Sequence, residues 1–251
     1  MMYVVSLPFQ SNIVLTYIAG FIGATALEYV TGVTMETLFK VRYWDYSARP
    51  FNFQGHICLS SSIAWGFLTI LMTRVIHKPI ERVVMSIPAN VLLYLTIAVT
   101  VYMVADFTLS FKTALDLRDI MAKMERVKEE MVRMQRRLDV IVAFNNDEKE
   151  QKRQVREMRV SELTASIEQR FASLKESIQS VPSAYGEGVR EEIAELRAKY
   201  SIYMENRNRY KDMLDFYKRD MIRNNPMMVS NKFKDALEEL KSAVSCRKNS
   251  K

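Results

Sequence analysis

The sequence is poor in the side chains that most often carry chemistry. Its 251 residues include two cysteines, Cys58 and Cys246, and two histidines, His56 and His77. Two cysteines cannot make a disulfide framework, and this pair has no zinc-ligand spacing. Cys58 reads as a small apolar residue at a hydrophobic segment. No Gly-rich phosphate loop of the Walker type is present, so ATP hydrolysis would have to come from another chain. There is no Ser/His/Asp set and no pair of carboxylates on a soluble fold. The expectation is a protein that is not an enzyme and carries neither cofactor nor metal. Met1–Gln10 has no basic start and is interrupted by Pro8, so it does not read as a signal peptide.

Charge is scarce in one half and abundant in the other. Residues 1–111 hold 6 Lys+Arg and 5 Asp+Glu, and the remainder holds 30 and 24. The first part is a membrane domain by hydropathy, with predicted spans over about 12–34, 57–76 and 87–110. The second part, 112–251, is charged and helical. Its mild positive excess, spread among mixed charges, reads as a solvated surface and not as a nucleic-acid site. The fold class expected is all-α: a polytopic membrane domain of about three spans followed by a long cytoplasmic coiled-coil or helical-hairpin region.

In the first span Gly20, Ala24, Glu28, Gly32 and Glu36 recur every four residues and share one face. Small residues let helices approach closely in lipid. Glu28 falls past the midplane but short of water. An ionisable group there is a substrate, ion or proton site, or else a packing glutamate bonded to a neighbour. Glu36 reaches the interface, where Lys40 or Arg42 can pair with it; Asp106, near the end of the third span, reads as interfacial too. After the first span, Lys40, Arg42, Tyr43, Trp44 and Tyr46 are residues that a membrane boundary selects. Pro50, Asn52 and Gly55 supply turn chemistry. The loop from Trp44 through Asp45, Tyr46 and Ser47 is either a docking surface, for example for an ATPase subunit, or an aromatic anchor with a turn. His56 reads as a loop hydrogen-bonder. A short loop over Arg74, Lys78, Pro79 and Arg82 is expected before the third span.

These residues also carry a resemblance. Glu28-Tyr29, Thr31-Gly32, Glu36, Phe39, Trp44-Asp45-Tyr46-Ser47, Pro50, Asn52, Gly55, Ile57-Cys58-Leu59, Ser62 and Trp65-Gly66 resemble the ABC-transporter permease family of the CmpB type, polytopic membrane proteins. The resemblance runs from about Gly20 to Phe111. It implies a transport-related membrane component, the site acids and motif loop named above, and a partner ATPase. Two departures stand out. His56 occupies a place where the family usually has Arg. The family's earlier membrane half, with its Asn-Arg-Gly-Phe and Gly-Pro motifs, is absent from this sequence, as in a shortened or truncated member.

In the charged part, Leu117, Ile120, Met124, Val127, Met131, Met134, Leu138 and Ile141 alternate steps of three and four, a heptad seam. It breaks at Asn145–Arg153 and resumes from Val160 to Val181. Pro182, Gly186 and Gly188 punctuate it. A second seam, Val189 to Met221, contains Tyr200, Tyr203, Tyr210 and Tyr217, which read as core packing, as do the methionines. A short last helix follows around Phe233–Val244. Folded back, the second seam would cover only the far part of the first. Leu117–Ile141 is therefore expected to pair between chains, giving a dimer or higher oligomer; the competing reading is that the break at Asn145–Arg153 is a bend that lets one chain cover itself as a compact bundle. The basic tail argues for a cytoplasmic C-terminus. Three spans then put Lys40–Gln54 inside, and Arg74–Arg82 and Met1 outside. Two readings remain: a permease-like half with Glu28 on a path between helices, and a membrane-anchored coiled-coil scaffold without transport.

Overall fold

The computed structural model describes residues 2–9, 11–142, 159–180 and 187–246. They are helical apart from one small hairpin and the connections, and they divide into two compact units. The first comprises Met1–Arg118 and Asn225–Lys232; the second comprises Asp119–Asn224 and Phe233–Lys251.

The first unit opens with a short helix α1 (Met2–Ser6), a single 3-10 turn, and then α2 (Ile13–Phe39). Asn12 caps α2: its Oδ1 accepts from the backbone N–H of Val14 at 2.9 Å and of Leu15 at 3.4 Å. At the other end Lys40 turns left-handed at φ 58°, and its N–H closes on the Glu36 carbonyl. Twenty-seven residues make about 40 Å of helix, more than a bilayer core.

The four-residue row is the packing face. Gly20, Ala24 and Gly32 are buried, while Val14, Ile22 and Val30 on the other faces are exposed. The partner is α3 (Leu59–Leu71), the most extensive helix contact of the unit. A Cβ on Gly20 would stand 2.2 Å from Thr69 Oγ1, and one on Gly66 would stand 2.5 Å from Tyr17. Each glycine admits a side chain of the opposite helix, which is how helices gain contact in lipid.

Beyond α3 the structure corrects an expectation. Arg74–Arg82 is not a loop. The helix widens into a π turn over Met72–Ile76 and continues as α4 (His77–Met85), so the second apolar helix runs from Leu59 to Met85. Pro79 has no N–H to give the carbonyl four residues back, and the ladder widens just ahead of it. The Thr69 and Thr73 hydroxyls donate to carbonyls four residues back, each at 2.8 Å, and help the helix through the irregularity. The real connection is Ser86–Pro88, with the Ser86 hydroxyl on the Val83 carbonyl at 2.7 Å.

Helix α5 (Ala89–Val142) begins as the third apolar helix, and every residue from Leu93 to Lys112 is exposed. An apolar helix exposed on all sides is solvated by lipid or by another helix. It carries on without interruption into the charged part of the chain, 54 residues in all.

The second unit gathers the later part of α5 with α6 (Val160–Ser180), α7 (Glu187–Asp212), α8 (Phe216–Asn224) and α9 (Lys234–Cys246). Gln135 donates to Ser166 at 2.9 Å and Arg170 pairs with Asp139 at 3.2 Å, so α6 advances in the same direction as α5. Tyr200 donates to Glu168 at 3.0 Å and Arg137 pairs with Glu192 at 2.6 Å, while Arg207 lies with Met124 and Lys128 nearer the start of this part of α5, so α7 runs back against both. The heptad seam lies in this core: Met131 and Leu138 are fully buried among Leu163, Ile167 and Phe171. Within the described residues, then, much of the seam expected to pair between chains is packed against helices of the same chain. The chain's own α6–α7 hairpin lies along that seam instead of forming beyond it. The break at Asn145–Arg153, together with Pro182 and Gly186, lies outside the described residues. Gly188 is helical. Of the four tyrosines, Tyr200 is buried, Tyr203 and Tyr210 pack half-buried against the core, and Tyr217 is exposed, because the helix breaks at Met213–Asp215 and restarts in another phase. Arg207 and Lys211 both pair with Glu239 at 2.7 Å, joining α7 to α9.

Candidate functional site

The chain from Val41 to Cys58 is short of regular structure but rich in hydrogen bonds. Asn52–Phe53 (β1) and Ile57–Cys58 (β2) form an antiparallel hairpin, with Phe53 opposite Ile57. Its turn takes Gln54 and Gly55 through positive φ, 52° and 73°. Gly55 has a second reason to be glycine: a Cβ there would lie 2.5 Å from Ser47 Oγ. Asn52 Nδ2 ties the preceding turn by donating to the carbonyls of Ser47 and Arg49. Asp45 accepts from both the hydroxyl and the backbone N–H of Ser47. Partial burial opposes its ionisation, but the Ser47 hydrogen bonds and then the Arg42 guanidinium hold its carboxyl below the usual range. Pro50 sits in the exposed turn. Trp44 Nε1 donates to the His56 carbonyl at 2.9 Å, pinning the loop to the hairpin.

Two acid centres result. In the first, Glu28 receives Tyr46 Oη at 3.2 Å on one oxygen and Trp65 Nε1 at 2.9 Å on the other. The Ser61 hydroxyl lies 3.3 Å from the second oxygen and 2.9 Å from the Cys58 carbonyl, and its single proton serves one at a time. Burial and then the Glu28 charge push the Tyr46 phenol up, keeping it a donor. Among the described residues no cation comes within ion-pair distance of Glu28. The carboxylate borders a groove of about 670 Å³ whose floor is the small-residue stretch of α2 at Gly20, Gly23 and Ala24. Trp44, Tyr46 and Trp65 line the same groove.

In the second centre, Glu36 Oε2 stands 2.8 Å from Arg42 Nε, an ion pair, and 2.9 Å from His56 Nε2, both without hydrogen-bond alignment. His56 is 5% exposed, and it packs on Gly32, where a Cβ would meet its ring at 2.8 Å. Residues from far along the chain complete this centre. Arg42 and Val229 exchange backbone hydrogen bonds at 2.8 and 2.9 Å. Ser230 Oγ donates to the Lys40 carbonyl at 2.6 Å, and Asn231 Nδ2 to Glu36 at 3.3 Å.

The structure thus joins Glu28 to Tyr46, and Glu36 to Arg42 and His56, with Trp44, Asp45, Ser47, Asn52 and Gly55 shaping the loop between them. Asp106 joins neither centre; it lies on the exposed stretch of α5. Trp65 and Ser61 were not singled out as site residues in the sequence. Their four-residue spacing, which puts both on one face of the second apolar segment, was the available signal. Nothing in the sequence pointed to Val229–Asn231. Among the described residues, no group of three His, Cys, Asp or Glu side chains is placed to hold a metal.

Three helices long and apolar enough to cross a bilayer, one carrying a carboxylate beside a groove, define a helical membrane protein of transporter-like type. Residues 1–111, more particularly, match the family described as "Putative ABC-transporter type IV", the CmpB type that the motif residues resemble. The match ends at Phe111, and the charged part of the chain lies outside it. No curated protein and no solved structure matches the chain.

Proposed function

We propose that residues 1–111 act as a permease-like component of a transport complex, with Glu28 on the wall of the solute path. The observation that carries this is a span carboxylate hydrogen-bonded by Tyr46 and Trp65 and within reach of the Ser61 hydroxyl, with no cation beside it among the described residues, bordering a groove. A glutamate kept only for packing would be expected to be enclosed by its partners. The chain is multi-pass, with Lys40–Gln54 and the C-terminal region in the cytoplasm and Arg74–Arg82 outside. Two contacts support that arrangement: Arg42 pairs with Val229 through the backbone, which suits a loop and tail on one side, and the Tyr3 ring lies tilted against that of His77 at 3.7 Å, which suits an N-terminus on the side of Arg74–Arg82.

The chain is not an enzyme and needs no cofactor of its own. A separate ATPase subunit supplies hydrolysis, docking at Trp44–Ser47, and the helical region is a cytoplasmic arm. The alternative is a membrane-anchored scaffold without transport, favoured by the large unit beyond Phe111. Photo-crosslinking from position 44 or 47 in native membranes separates them. A crosslinked polypeptide with a Walker-type loop, whose ATPase activity co-purifies with the chain, supports the permease reading. Crosslinks to structural proteins alone, with no nucleotide-binding partner, support the scaffold.

A further inference from the structure

The groove beside Glu28 has a composition that selects a ligand class. Its lining is almost wholly apolar: the three small residues of α2, with Val5, Leu27 and Val30 beside them. Against this stand one carboxylate and three large aromatic rings, Trp44, Tyr46 and Trp65. The polar tip of each ring is already committed, Trp44 to the His56 carbonyl and the other two to Glu28. What the rings still offer is their π surface. π faces attract cations, most strongly when the cation is desolvated, and tryptophan is the best of the three.

The carboxylate adds the missing charge. It has no cationic partner among the described residues, and a lone anion at that depth is costly. An anion or a strongly hydrated inorganic cation would gain little from apolar walls. A cation with its charge spread over apolar groups matches both halves of the lining. We infer that the groove binds a hydrophobic organic monocation, with Glu28 as its counter-ion and Trp44, Tyr46 and Trp65 as its aromatic walls. This rests on the reading of the groove as a solute path and names the class of solute.

The groove also carries its own reporter. The chain has two tryptophans, and both line it. The test uses the full chain in nanodiscs of uncharged phosphatidylcholine, titrated with tetraphenylphosphonium. Binding is read from radiolabel retention above empty nanodiscs, and from tryptophan emission. Saturable binding is expected, with a shift in emission. Tetraphenylborate, of the same shape and opposite charge, should neither bind saturably nor compete. Glu28→Gln should weaken binding at least ~10-fold, and Trp65→Leu by a similar factor, while Trp65→Phe keeps most of it. Glu81→Gln, which removes a negative charge from exposed α4, should leave binding unchanged.

Absence of saturable phosphonium binding would overturn the inference, as would equal binding by Glu28→Gln or equal binding of the borate. The transport reading fails separately. Glu28-dependent binding without movement across proteoliposomes that contain the ATPase partner would remove the transport role and leave the cation site standing.

Discussion

Replacing Met131 with alanine should destabilise the single chain without changing its association state. Met131 is fully buried, within the cluster that contains Leu138, Leu163 and Ile167. Truncating a buried methionine removes its transfer free energy and leaves a void that neighbours fill only in part, about 2–5 kcal/mol together. Taking ~3 kcal/mol for a region of this size, the thermal midpoint of the second unit should fall on the order of 10–20 °C. Far-ultraviolet circular dichroism of the full chain in detergent follows it, because that unit is helical. The decisive control is concentration. A core closed within one chain melts at a midpoint independent of protein concentration, whereas a seam shared between chains gives a midpoint that rises with it. Sedimentation of wild type and Met131→Ala should give the same mass. A wild-type midpoint that climbs with concentration, or a Met131→Ala protein that merely dissociates and keeps its helicity and midpoint, would refute the intrachain assignment.

Other outcomes follow from the same contacts. Glu28→Ala should not impair insertion of the first helix, since a central acid costs about 2.5–3.5 kcal/mol on insertion scales; reduced glycosylation-tag insertion of that variant would count against its placement. Gly20→Leu should force α2 and α3 apart at Thr69, costing about 1–3 kcal/mol and lowering the detergent melting point; an unchanged melt would contradict the close approach. Burial first, and then the Glu168 hydrogen bond, push Tyr200 up to about 12. Its unfolded value is lower, so its contribution to stability is complete below about pH 10 and is lost as pH rises through the folded value. Tyr200→Phe should delete a late component from the alkaline absorbance titration, and an unchanged titration would show Tyr200 to be unshielded. The Asp45 carboxyl is depressed, so its contribution is present above the ordinary carboxylate range and is lost on acidification through its own value; Asp45→Asn should flatten the acid limb of the tryptophan emission profile, reported by nearby Trp44.

The membrane unit was legible because lipid imposes simple patterns. Gly20, Ala24 and Gly32 announced a packing face by spacing alone, and the structure buries them. The pairing of Glu36 with Arg42 was readable from the charges near a helix end. The extent of the second apolar helix was not, because charge and Pro79 in the stretch from Arg74 to Arg82 look like a loop when hydrogen bonding through a π turn is invisible. The heptad seam was read correctly as apolar, but a seam does not say what covers it. That α6 lies parallel to α5 is a relation between distant segments, which no periodicity encodes. Trp65 gained its role from the Glu28 carboxylate, which lies 37 residues away in sequence. Contacts of that range escape local reasoning.

The bond between Ser230 and Lys40 joins groups 190 residues apart. Closing so long a loop costs about 5 kcal/mol of chain entropy, so the contact cannot lead folding. It also cannot exist while the chain is being made. When the first three helices leave the ribosome, Glu36 and Arg42 already have each other, but the Arg42 backbone still lacks the Val229 strand edge. That edge arrives only after α6, α7 and α8 have been translated. Biogenesis of this protein therefore has a late step, in which the Lys40–Arg42 segment is finished by a distant piece of the same polypeptide. A nonsense mutation between Asp119 and Val229 would leave three helices inserted and that loop incomplete. Its phenotype would then be that of a membrane lesion, although the change in the gene lies far from any membrane-spanning codon.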